Sequence, residues 1–167
     1  RTDNDDQLSG SLNLYLGGQA GGEAAYDVIY GDVNPSGKLA ETFPFNNEDN
    51  VVSKYFPMGP RTVEYRESIF VGYRFFDKAK KTVQYPFGHG LSYTSFEYGE
   101  MTVSEGVNNH GEKCYNVSVT VTNTGDMAGK ETVQIYLSSP YTQYDIDNKI
   151  EKAAVQLVGF GETQILE

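Results

Sequence analysis

Apolar and polar positions alternate most densely between Tyr65 and Thr94, in YRESIFVGYRFFDKAKKTVQYPFGHGLSYT. There Ile69, Val71, Tyr73 and Phe75 interleave with Phe70, Gly72, Arg74 and Phe76, a period of two that predicts a strand apolar on both faces and therefore buried on both. A charged turn from Asp77 to Lys81 separates it from a short apolar run, Val83 to Phe87, and from the sharp bend Gly88-His89-Gly90. Glycine on either side of His89 allows positive φ and lets the backbone pass close to another surface.

Ahead of this stretch, Leu12 to Leu16 suits a buried parallel strand, and Gly17 to Gly22 turns the chain. Ala24, Ala25, Val28 and Ile29 share one face of a helix predicted over Glu23 to Tyr30, which Gly31 ends in the left-handed conformation. A strand, a glycine-rich turn and a helix can hold a phosphate at the helix amino end. Here the GxGxxG spacing is absent and no Gly-Lys-Ser or Gly-Lys-Thr follows, so close packing of helix on sheet explains the glycines better. Asn34-Pro35-Ser36-Gly37 is a turn, and Thr42 to Phe45 a short extended piece. Asn46 to Arg61 is polar, contains Pro57 and Pro60, and reads as a long surface loop anchored by Tyr55, Phe56 and Met58. Such a loop could line a cleft, but a strap holding two domains together is favoured.

Beyond Thr94 the pattern is that of antiparallel β structure. Strands are predicted over Phe96 to Val103, Cys114 to Thr122, Glu131 to Leu137 and Ala153 to Phe160. Asn108 to Gly111 and Asn123-Thr124-Gly125-Asp126 are the turns between them, and Ser138 to Lys149 is a polar loop. A β-sandwich of this type needs about seven strands. Only four or five are countable, so the remaining strands are expected outside this chain or from a partner, leaving an open apolar edge.

Composition narrows the partners. A formal charge of −10 and a pI near 4.6 argue against nucleic acid or an anionic membrane surface as a partner, since both require basic patches. No apolar run is long enough to cross a bilayer, and the amino end RTDNDDQ is polar, with residues 1–10 expected to be disordered or a cut edge. Cys114 is the sole cysteine, so no intrachain disulfide forms and the compartment, cytoplasmic or secreted, is not revealed. It is placed on the more polar face of its strand, opposite Tyr115, Val117, Val119 and Val121, with no second soft ligand in view.

YRESIFVGYRFFD followed by YPFGHGLSYTSFEY resembles the segment that joins the α/β domain to the fibronectin type III-like domain in glycoside hydrolase family three. GGQAGGEAAYDVIYGDVNPSGKLAETFP is similar to the end of that family's α/β sandwich domain, and VTNTGDMAGKETVQIYLSSP with QLVGF to its fibronectin-like strands. The resemblance runs from about residue 12 to 161 in the family's order, with one departure: Ser68 stands where the family usually carries glycine. It implies a mostly β chain, an antiparallel fibronectin type III-like sandwich preceded by the terminal strand and helix of an α/β sandwich. Residues 1–45 would end the α/β domain, 46–86 would be an interdomain loop and linker strand, and 87–167 the fibronectin-like sandwich.

The resemblance further implies a parent that hydrolyses short β-glucosides or related oligosaccharides with retention, through a covalent intermediate and with no metal or organic cofactor. The family's nucleophilic aspartate lies in a (β/α)8 barrel and its acid/base glutamate in an earlier part of the α/β domain, and neither segment is in this chain. No pair of carboxylates stands out in the spacing, so no catalytic residue is assigned. Barrel and α/β domain are the expected partners. Tyr65, Arg66 and Glu67 are the nearest to substrate-contacting residues, an aromatic ring, a guanidinium and a carboxylate in succession. Interdomain ion pairs for Arg66 and Glu67, with Tyr65 packed at the seam, are the more economical role. Gly88, His89 and Gly90 are assigned to the structural junction, His89 as a turn residue rather than a proton carrier, and with His110 the only other histidine no metal site is expected. Asn116-Val117-Ser118 matches the glycosylation sequon. Thirteen tyrosines and nine phenylalanines also admit a carbohydrate-binding or adhesive sandwich without hydrolytic activity, but they are scattered through turns and strand starts.

Overall fold

The computed structural model describes residues 10–57, 59 and 61–167, so the acidic amino end through residue 9, Met58 and Pro60 lie outside the described residues. These residues form two compact units, one built on Gly37–Gly90 and Gln134–Gly161, the other on Asn13–Ser36, Leu91–Val133 and Glu162–Glu167. The chain is mostly β, with six strands in three two-stranded sheets among the described residues. No helix among them is long and apolar enough to cross a membrane.

In the second unit, helix α1 (Gly21–Tyr30) ends as the sequence predicts: Gly31 takes φ +83° and its N–H reaches the Val28 carbonyl. The run Leu12 to Leu16 forms no strand, and Leu12, Leu14, Tyr15 and Leu16 are exposed. A parallel strand takes its hydrogen bonds from neighbours, and no described strand lies beside this one. The two strands expected over Phe96–Val103 and Cys114–Thr122 are each broken in two. Strand β1 (Phe96–Tyr98) pairs antiparallel with β4 (Val121–Asn123), and β2 (Thr102–Val107) with β3 (Lys113–Ser118). Between the ladders three residues, Gly99 to Met101, face only Val119 and Thr120, so the long hairpin carries one extra residue, a β-bulge that bends it. Outward and inward positions do not follow the alternation: Tyr115 is 71% exposed while Cys114 is half-covered, since no described strand lies over the face that Val103, Val107 and Tyr115 share.

Two asparagines hold this unit together. Residues 34–37, expected as a turn, make none, and Asn34 instead donates to the Ala128 carbonyl at 3.1 Å and accepts from the Ser92 hydroxyl at 2.8 Å and the Tyr93 N–H at 2.9 Å. Asn123 donates to the carbonyls of Met127 and Leu166, at 2.9 and 3.0 Å, and accepts from the Thr94 hydroxyl at 2.6 Å. Buried Glu131 accepts from the Tyr98 hydroxyl at 3.2 Å. Burial first, then the charge and hydrogen bond of Glu131, push the Tyr98 phenol up to about 12.

In the first unit the strand expected over Ile69–Phe76 is replaced by a turn and by helix α2 (Tyr73–Ala79). Gly72, at φ +57° and ψ −130°, breaks the extended path just before the helix. Tyr73 and Phe76, three apart, then serve helical spacing as well as they would have served a strand, and Phe76 is the one buried apolar side chain among the described residues, 4% exposed. The charged stretch after it closes the helix, with Lys80 in the left-handed region. Strand β5 (Thr132–Leu137) and β6 (Gln156–Glu162) form the third sheet. The intervening polar segment contains helix α3 (Gln143–Asp147), capped by Thr142 and Asp145 in a reciprocal box. Asp145 is buried and receives Lys152 at 2.8 Å.

Segment 37–43 is tied to 85–90 by backbone bonds: Leu39 N–H to His89 O and Gly88 N–H to Leu39 O, both 2.8 Å, and a bridge of Phe43 with Tyr85. Gly88 has φ +80°, as expected. Gly90 is not in the left-handed region; it is needed for space, because a Cβ there would meet the Gly37 carbonyl oxygen and lie 2.9 Å from Lys38 Cδ. At Gly88 a Cβ would meet only the end of the Gln134 side chain, which can swing away.

Three outcomes follow from these local geometries. Gly90→Ala forces backbone apart and should cost about 2–4 kcal/mol in chemical denaturation, against about 1 kcal/mol for Gly88→Ala, where left-handed φ is the main penalty; equal costs would refute the distinction. Ser68 occupies φ +52° as the first central residue of the turn closed by Phe70 N–H to Glu67 O. Ser68→Gly, restoring the residue that such a φ favours, should therefore raise stability by about 0.5–1 kcal/mol in the same assay. The Lys152 hydrogen bond, followed by those from Thr142, holds the Asp145 carboxyl down from 3.8 to about 2. A carboxyl depressed on folding adds stability above its unfolded value that is lost as pH falls through the folded one, so stability should drop between about pH 4 and 2, and Asp145→Asn should flatten that drop.

Candidate functional site

Tyr65, Arg66 and Glu67 are consecutive, but the fold of the first unit sends them different ways. Tyr65 is 84% exposed at the edge of the long loop. Arg66 folds back on its own segment, with Nε and Nη2 each 2.6 Å from Glu64 Oε2 and its guanidinium 4.7 Å from the centre of the Tyr55 ring. Both members of that ion pair are about half exposed, so solvent screens it and it contributes little to stability. Glu67 turns inward at the start of the tight turn, and one of its carboxylate oxygens is shut off from solvent with no hydrogen-bond partner.

Glu67 lines a cleft of about 90 Å³, together with Val51, Val52, Phe70, Phe75 and Phe76. The pattern of the sequence concealed this cleft, because a strand apolar on both faces would have pointed Phe75 and Phe76 to opposite sides. On α2 they are neighbours, their rings 5.3 Å apart. Asp77, on the same helix, has its carboxyl pushed up by burial, and Tyr136 is pushed up by burial and then by Tyr73 and Asp77. No sequence signal marked either group, since burial, the first cause of both shifts, is decided by tertiary packing.

At the bend, the His89 ring stacks on Tyr85 with centroids 5.1 Å apart, and its backbone N–H bonds to the Pro86 carbonyl at 3.1 Å. Lys38 donates to the Gly90 carbonyl at 2.9 Å. Tyr73 packs against Phe87 and Tyr136, and its hydroxyl accepts from the Leu157 N–H at 2.9 Å. His110 sits exposed in the hairpin loop, its backbone N–H bonded to Asn108 Oδ1 at 2.9 Å. Asn116 is exposed on β3. No group of three or more His, Cys, Asp or Glu among the described residues is placed to hold a metal ion.

Acid–base chemistry on a glycosidic bond calls for two facing carboxyls, one of them with a raised pKa. The buried carboxylates among the described residues are Glu131 and Asp145, one in each unit. Glu131 is committed to Tyr98, and Asp145 to Lys152 and Thr142, so neither is free to exchange a proton with a substrate.

A model of the glycosyl hydrolase family 3 C-terminal domain matches residues 1–93. Thermostable beta-glucosidase B of Acetivibrio thermocellus is 45% identical over 155 residues, covering 93% of this chain and 20% of that protein. An exo-alpha-(1->6)-L-arabinopyranosidase of Bifidobacterium longum is 44% identical over 128 residues, 77% of this chain and 16% of its own length. The crystal structure of a family 3 beta-glucosidase from Bifidobacterium adolescentis superposes with a TM-score of 0.76 at 40% identity, over 89% of this chain and 20% of that one. Beta-glucosidase 3B of Thermotoga neapolitana, solved with glucose, gives 0.74 at 39% identity over the same shares. The chain thus spans about a fifth of the length of such relatives, and with the family model matching more than half of its residues, it belongs to glycosyl hydrolase family 3.

Proposed function

We propose that this chain is a non-catalytic part of a larger retaining glycosidase that removes terminal β-linked glucose from short glycosides, and that it stabilises and orients the catalytic domains. One observation carries the proposal. Phe76 is the only buried apolar side chain among the described residues, whereas Leu16, Ile29, Tyr30, Val107, Tyr115 and Phe160 are each more than 60% exposed. Apolar surface on that scale marks faces that pack against other structure. In this proposal Tyr26, Ile29 and Tyr30 of α1, with Leu14 and Leu16, meet the remainder of the α/β sandwich, while Val103, Val107 and Tyr115 meet the rest of a fibronectin-like sandwich. The loop of residues 46–61 acts as the strap between domains, and Gly88, His89 and Gly90 mark the junction.

Sugar choice belongs to other segments of the parent. A relative named a beta-glucosidase and one named an arabinopyranosidase share this region with the chain at 45% and 44% identity, so the region itself is a poor place to encode the difference. The committed state of Glu131 and Asp145 supports the same division of labour.

The test is the intact mass of the natural polypeptide, followed by assay. A mass several times 18.5 kDa, hydrolysis of an aryl β-glucoside by that polypeptide, and no hydrolysis by residues 1–167 alone are the expected results. A natural mass near 18.5 kDa, with the isolated chain retained on a β-glucan column, would instead establish a binding module.

A further inference from the structure

The Glu67 cleft has the features of a socket for one side chain. Its lining is mostly apolar, Val51, Val52, Phe70, Phe75 and Phe76 among it, with Asn50 the other polar residue, and Glu67, the one acid, has a carboxylate oxygen with neither water access nor a donor. A carboxylate left that way is unfavourable until something supplies an N–H or O–H. Two cations of the same unit are engaged elsewhere, Arg66 with Glu64 at 2.6 Å and Lys81 with Asp49 at 3.6 Å. At about 90 Å³ the space is smaller than the roughly 150 Å³ that encloses a benzene ring, so it suits the head of a long side chain and not a sugar ring. Rotation about the soft last torsion of Glu67 can turn either oxygen toward an incoming group.

We infer that this cleft receives a lysine or arginine side chain from another part of the parent polypeptide, which forms a desolvated ion pair with Glu67 and anchors the strap. The inference rests on the functional proposal above, in that it needs a larger parent. Charge favours it. The chain carries −10, so a basic group from elsewhere is attracted and a second copy of the chain is repelled. The walls contribute by excluding water, which strengthens the pair once its partner is in place.

The experiment uses the intact parent. Glu67→Gln keeps the shape and removes the charge, and it should lower the melting temperature by about 5 °C or more, because it leaves a buried cation unpaired. Glu64→Gln, which breaks only the exposed pair with Arg66, should shift it by about 1 °C or less. A structure of the wild-type parent should show a lysine or arginine nitrogen from outside residues 1–167 within about 4 Å of the Glu67 carboxylate, and it decides the matter alone if the variant does not fold. An unchanged or raised melting temperature for Glu67→Gln, or a structure with water, a hydroxyl group, a sugar or a second copy in the cleft, overturns the inference. Hydrolysis of an aryl β-glucoside by the same wild-type sample reports separately on the functional proposal, so failure of one is not mistaken for failure of the other.

Discussion

The contact on which the first unit depends is backbone against backbone: Gly90 lies on the Gly37 carbonyl with no room for a side chain. That approach lets Leu39 exchange hydrogen bonds with Gly88 and His89, and it carries Phe43 to its bridge with Tyr85. Aromatic packing then follows the backbone. Tyr85 stacks on His89, Phe87 meets Tyr73, and Tyr73 fixes the Leu157 amide. The bend is therefore less a turn in a loop than the place where two distant segments become one surface.

The second unit is held differently. Its fixed points are side-chain amides, Asn34 and Asn123, each bonded to three or more partners drawn from segments far apart in sequence. A typical intramolecular hydrogen bond adds only about 1 kcal/mol net, so such hubs specify geometry more than they supply stability. Stability has to come from apolar burial, and little of that occurs within the described residues. Both facts suit a segment whose apolar faces are completed by other parts of a larger molecule.

Glu67 and Arg66 show how adjacent residues come to differ in role. Arg66 and Glu64 form a solvent-screened pair on the loop, while Glu67 begins the turn whose left-handed Ser68 leads into the apolar cleft. Asp145 is the contrasting buried acid. It has a lysine, a hydroxyl and an amide as donors, and its carboxyl is correspondingly held in the ionised form. One acid is fully provided for within the chain, whereas the other keeps a carboxylate oxygen shut off from solvent without a hydrogen-bond partner.

Features that depend on a few neighbouring residues were legible from the residues alone. Helix α1 and its Gly31 end, the turn at Asn108, the bend after Asn123 and the positive φ of Gly88 all follow from local backbone preference. The family likeness rests on the same ground, since its motifs are rich in glycine, proline and aromatic residues that the local chain path demands. Local preference did not choose between strand and helix for Ile69–Phe76, because Tyr73, Phe75 and Phe76 satisfy both periods once Gly72 turns left-handed. It also did not reveal the one-residue bulge between the β1–β4 and β2–β3 ladders, the hub role of Asn34, or the unpartnered oxygen of Glu67. Each of those depends on which distant segment comes to lie alongside, and that is settled by packing and hydrogen-bond satisfaction across the fold, for which a linear pattern holds no record.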